Sequence, residues 1–132
     1  MPLAHGDVTN RVLRTFFAVY NELGMGFVES VYQNSMLRAL LDEGLEVQSE
    51  HQIEVYFRKA VVGQFHADLV VERCVVLELK AVRALLPEHN AQLMNYLRAS
   101  YFEVGLVLNF GRGPEFKRLI FSNVNKKGLD PR

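Results

Sequence analysis

The segment Cys74-Val75-Val76-Leu77-Glu78-Leu79-Lys80-Ala81-Val82 constrains this chain more than any other. It is short, apolar and rich in branched side chains, and only two charges interrupt it. Side chains alternate across a strand, so Glu78 and Lys80 point to one side while Leu77, Leu79 and Ala81 point to the other. The apolar flanks on both faces mark an internal strand, which needs a sheet with a packed layer on each side. Two charges in such a strand are expensive unless they are paired or bound to something.

The rest of the chain supplies those layers. Val8, Val12, Phe16, Val19, Tyr20 and Leu23 recur at helical spacing, with Asp7 as the expected N-cap. A second helix is expected from about Val28 to Asp42, ending before Gly44. Strands follow over Val47–Phe57 and Val61–Val71, with Cys74–Val82 as the third. Pro87 suits a helix start, and Glu88 to Tyr101 has helical spacing. Val104–Leu108 reads as a buried strand and Phe116–Phe121 as a last one, with Gly111-Arg112-Gly113-Pro114 as the turn between them. The order is αα-βββ-α-ββ. It predicts an α/β fold of the α+β mixed-sheet kind, with a central mixed sheet flanked by helices. One domain is expected over residues 1–132, with its core at about 8–122 and a frayed tail at 123–132.

Asp68 sits in the preceding strand, beside Ala67, Leu69, Val70 and Val71. A hairpin can bring it to Glu78, and register decides whether it does. A two-residue loop at Glu72-Arg73 sets Leu77 opposite Asp68. A three-residue loop, Glu72 to Cys74, sets Glu78 there instead. A metal site therefore predicts the three-residue loop or a bulge. Alternation also assigns His66 to the face of Asp68, although an ordinary edge histidine is the simpler reading.

Two juxtaposed carboxylates repel, and a divalent cation relieves the repulsion. Hard oxygen donors suit Mg2+ or Mn2+. Such an ion acidifies water and neutralises charge on a phosphodiester, while Lys80 can orient the attacking water or stabilise developing negative charge. The bland alternative is a structural ion pair from Lys80 to Glu78 or Asp68. Two helices add polar groups. Glu29 heads a stripe with Tyr32, Met36 and Leu40, and its simple explanation is a favourable charge in a first helical turn. His89, Gln92 and Tyr96 share a face of the third helix, which is otherwise explained as a polar strip at a helix–sheet boundary.

Together these residues resemble the GxxExxY proteins, a family within the PD-(D/E)XK nuclease-like superfamily. The name-giving motif reads Gly26-Phe27-Val28-Glu29-Ser30-Val31-Tyr32. Asp68 and Glu78-Leu79-Lys80 resemble the superfamily's acidic core, with Ala67 where proline is common. His89-Asn90-Ala91-Gln92-Leu93-Met94-Asn95-Tyr96 and Val104 to Gly111 resemble the family's next helix and strand. The similarity is collinear over roughly residues 8–122. The resemblance implies a restriction-endonuclease-like core, metal ligation by Asp68, Glu78 and the carbonyl of Leu79, and catalysis by Lys80. It further implies that Glu29 extends the catalytic site, and that Gln92 and Tyr96, with Tyr32 and His89, border bound substrate.

The function this implies is a metal-dependent nuclease hydrolysing phosphodiester bonds of DNA or RNA, with Mg2+ or Mn2+ as cofactor. The alternative is a non-catalytic binding or regulatory module that retains the fold. The 15 basic and 15 acidic residues cancel, which counts against strong independent nucleic-acid binding. Phosphate contacts would fall to local groups such as Arg58, Lys59, Arg83, Arg98 and Arg112. A homodimer would enlarge the binding surface. Hydrolysis of a small phosphorylated molecule ranks third, since neither Gly24-Met25-Gly26 nor Gly111-Arg112-Gly113 matches a phosphate-cradling loop. Cys74 is the single cysteine, which excludes an intrachain disulfide and a cysteine zinc site and favours a small buried hydrophobe. With no secretory pattern and no spanning apolar run, a cytoplasmic protein away from membranes is expected.

Overall fold

The computed structural model describes residues 4–127. Helices α1 (Gly6–Leu23) and α2 (Glu29–Asp42) come first, followed by strands β1 (Val47–Phe57), β2 (Ala60–Val71) and β3 (Val75–Lys80). Helix α3 (Pro87–Ala99), strands β4 (Val104–Phe110) and β5 (Pro114–Ile120), and a single 3-10 turn (Asn123–Asn125) complete the order. This is the expected αα-βββ-α-ββ succession.

The strands form one sheet in the order β1-β2-β3-β4-β5. The pairings are antiparallel except for β3 with β4, which is parallel. A parallel pair needs a crossover, and α3 supplies it. One face of the sheet packs Leu77, Leu79, Leu106 and Leu108 against Val12 and Phe16 of α1 and Met36 and Leu40 of α2. The other packs Val70, Val76 and Val107 against Leu93, Tyr96 and Leu97 of α3. The two central strands are thus covered on both sides, as the apolar run around Glu78 requires. At Gly105 a Cβ would lie 2.9 Å from Leu93 Cδ2, so the missing side chain lets α3 close on the sheet.

Several local expectations shift. Asp7 is not the N-cap; that position is His5, in the left-handed region, and Asp7 lies in the first helical turn. Cys74 leaves the strand for the turn and is only half-buried. The strand pattern of β1 sets Ile53, Val55 and Phe57 on one face, yet Phe57 is 59% exposed, where the β1–β2 hairpin runs past the end of β3. The segment 123–127 carries side-chain ties: Asn123 Nδ2 donates to the Tyr101 carbonyl at 3.1 Å, and Lys126 Nζ to the carbonyls of Ser100 and Phe102 at 2.8 and 2.6 Å. The remainder of the tail lies outside the described residues. No helix among the described residues is long and apolar enough to cross a membrane.

Candidate metal and catalytic site

The β2–β3 turn settles the register. Leu69 pairs with Leu77, Val70 with Val76 and Val71 with Val75, so Glu72, Arg73 and Cys74 form the loop. Glu72 and Arg73 take positive φ values of 52° and 55°, and Cys74 N–H donates to the Val71 carbonyl at 3.1 Å. The tight turn carries one extra residue, and continuing the register sets Asp68 opposite Glu78.

Asp68 nevertheless sits where regular pairing stops. Before it, Phe65 and Ala67 pack toward α3; after it, Leu69 and Val71 pack toward α1 and α2. The alternation therefore turns over at Asp68. Strand β1 turns over with it, at Glu50, which has φ 56° and is the residue left out of the β1–β2 pairing opposite Asp68. His66 consequently does not share the Asp68 environment. It is exposed and contacts its cross-strand neighbour Gln52 at 2.9 Å.

The break opens a split between β2 and β3. Beyond Leu77, β3 keeps its pairing with β4 alone. Asp68 fills the lost ladder position with its side chain: Oδ2 accepts the Leu79 N–H at 2.7 Å. The Asp68 backbone N–H also favours the charged form of the Glu78 carboxylate. Gln33 of α2 ties the break down, its Nε2 donating to Glu50 Oε1 at 2.6 Å and to the Asp68 carbonyl at 3.2 Å. Neither Gln33 nor Glu50 was singled out from the sequence. Gln33 lies four residues after Glu29, on the same helical face, and that spacing was the available signal.

Glu78 is 4% exposed. Burial first, and then the charge of Asp68, push its carboxyl up to about 8; Lys80 and the Asp68 N–H pull the other way. The Asp68 carboxyl is also raised, chiefly by burial, with Glu29 and Glu50 adding to the effect. Burial and repulsion thus outweigh the nearby ammonium. Lys80 Nζ itself donates to Gln92 Oε1 at 2.9 Å, a contact that joins β3 to α3.

Other expected site residues have different surroundings. Tyr96 is buried on α3; its hydroxyl lies 2.6 Å from His51 Nδ1, and burial, then the Glu78 charge, raises its pKa. His89 Nδ1 accepts the Leu86 N–H at 2.9 Å and so helps cap α3. Glu29 is exposed at the first turn of α2, within electrostatic reach of both carboxylates. Tyr32 is fully buried on the opposite layer. Its ring stacks on Phe110 at 4.1 Å, and its hydroxyl donates to the Gly24 carbonyl at 2.6 Å and accepts the Phe27 N–H at 3.2 Å. That placement shapes the α1–α2 loop and leaves Tyr32 no path to a substrate.

The segment leaving β3 is also held. Asn109, fully buried on β4, accepts the Val82 N–H at 3.0 Å and donates to the Val82 carbonyl at 2.9 Å. A Cβ on Gly111 would lie 2.4 Å from that same carbonyl oxygen. The Asn109-Phe110-Gly111 sequence thus serves to anchor the end of the strand that carries Glu78 and Lys80.

Among the described residues, no three His, Cys, Asp or Glu side chains converge as a ready-made metal cage. The Asp68–Glu78 pair nonetheless fits a hard divalent cation. It offers carboxylate oxygens whose mutual repulsion, held in place by burial, an ion would relieve.

No curated protein matches the chain. Among solved structures it is similar to the crystal structure of SSO0001, at 17% identity and a TM-score of 0.59. That match covers 71% of this chain and 50% of the other, so the chain spans about half the length of that structure, and the likeness is one of fold. The sequence model for the PD-(D/E)XK nuclease superfamily matches residues 6–119, which takes in the split, both carboxylates and Lys80, and the chain belongs to that superfamily.

Proposed function

We propose that this protein is a metal-dependent nuclease of the GxxExxY kind, hydrolysing phosphodiester bonds in DNA or RNA. The observation that carries the reading is the convergence of Asp68 and Glu78 at the β2–β3 split, with Lys80 projecting beside them toward Gln92. The motif Gly26 to Tyr32 supports the family assignment by bringing Glu29 to the start of α2. Asp68, Glu78 and the Leu79 carbonyl would hold Mg2+ or Mn2+. When bound, the ion supplies Lewis-acid chemistry and neutralises phosphate charge. Asp68 keeps one oxygen on the Leu79 N–H, which fixes its carboxylate direction. Lys80, steered by Gln92, places an ammonium where negative charge develops on the phosphate. Glu29 extends the acidic site from the helix, and Gln92, with Tyr96 beneath it, borders the substrate.

The test is cleavage of single-stranded DNA, double-stranded DNA, branched DNA and RNA with Mg2+ or Mn2+, wild type beside Lys80→Ala. Cleavage by wild type alone assigns the activity to this site. Absence of cleavage by a folded, metal-loaded wild type rejects the nuclease reading in favour of a binding module on the same fold.

A further inference from the structure

A groove of about 760 Å³ opens on the α3 side of the sheet, away from the carboxylates. One wall is β1 from His51 to Phe57, the arm that runs beyond the end of β3. The other is the last turns of α3 with the Ser100-Tyr101 segment. His51 lines it and is joined to the buried Tyr96 of α3, Nδ1 to hydroxyl, at 2.6 Å.

Its lining combines two kinds of group. Tyr56, Phe57, Phe65 and Tyr101 supply aromatic surface, and Arg98 and Lys127 supply positive charge. Glu54 is also there, its carboxylate accepting the Tyr56 hydroxyl at 2.9 Å, so the two cations face a single acid. Aromatic rings beside a few cations suit unpaired bases, which offer open faces for stacking while their phosphates meet the cations. A duplex has its base faces already stacked and relies on a broad basic surface, which a chain of zero net charge does not offer in bulk.

We propose that this groove is the binding site of an unpaired polynucleotide strand. The proposal rests on the nuclease reading and names its substrate class. The arm fixes one side of the strand and Arg98 neutralises a phosphate on the other.

The experiment is equilibrium binding in EDTA, where cleavage is silenced, of labelled oligo-dT, oligo-U and a DNA duplex of equal length. Wild type is compared with Phe57→Ala and Arg98→Ala; both side chains are exposed, so the fold survives their loss. The single strands should bind more tightly than the duplex, and the preferred sugar identifies the natural strand. Phe57→Ala should weaken single-strand binding by roughly 5- to 100-fold. With Arg98 and Lys127 as the phosphate contacts, log K should fall with log salt at a slope of about −1.4, and Arg98→Ala should flatten that slope by about 0.7. Preference for the duplex, no binding of either strand, or variants that bind as wild type would each overturn the groove. Cleavage by wild type together with unaffected variants would sink the groove and leave the nuclease standing. Groove-dependent binding without cleavage in Mg2+ would do the reverse.

Discussion

Replacing Glu78 with glutamine should stabilise the metal-free protein, and by an amount that depends on pH. Glu78 ionises near 4.5 when unfolded and is pushed up to about 8 in the folded chain. Because the folded value is the higher one, its contribution is fully present below about 4.5 and is lost as pH rises toward about 8. Each pH unit inside that window is worth about 1.4 kcal/mol. Near pH 7 the folded protein therefore bears a cost of about 3 kcal/mol that glutamine does not. Glutamine is nearly isosteric, so little packing is lost. Urea unfolding in EDTA between pH 5 and pH 8 measures the effect. The variant should gain on wild type steadily across the series, with unchanged m-values. Adding Mg2+ should narrow the gap, since the ion stabilises wild type in place of the proton. Stability curves that run parallel with pH would refute the claim that Glu78 is held in a buried, repulsive site.

Three further predictions concern the supports of the site. Asn109→Ala strips partners from both polar groups of Val82 and should cost about 2–4 kcal/mol in urea unfolding. Gly111→Ala drives a Cβ against the Val82 carbonyl, a backbone atom with little room to retreat, and should lower the melting temperature by an amount equivalent to about 1–3 kcal/mol. Tyr32→Phe keeps the stack on Phe110 but orphans the Gly24 carbonyl and the Phe27 N–H, costing about 1–2 kcal/mol. It should leave nucleic-acid cleavage rates unchanged; a large loss of rate in a stably folded variant would return Tyr32 to the substrate site.

Periodicity, together with strand-forming residues and Gly and Pro punctuation, determined the element order, because each element buries an apolar face and the two spacings, near two and near 3.6 residues, are written in the residues themselves. It also determined that Glu78 and Lys80 share a face, and that a three-residue turn was needed to set Asp68 against Glu78. Both follow from the parity of a strand and need no partner. Tertiary structure decided what parity could not. The alternation turns over at Asp68 and Glu50 together, and it does so where Gln33 reaches across from α2 to the Asp68 carbonyl and Glu50. No local pattern encodes that break, since the contact joins residues far apart in the chain. The same reason separates Tyr32 from the site despite its place in the motif with Glu29: a helix face is legible in sequence, but the layer it packs against is not. Nor could sequence reveal the groove. Its walls come from β1 and the end of α3, and only the packing of α3 across the sheet sets them side by side.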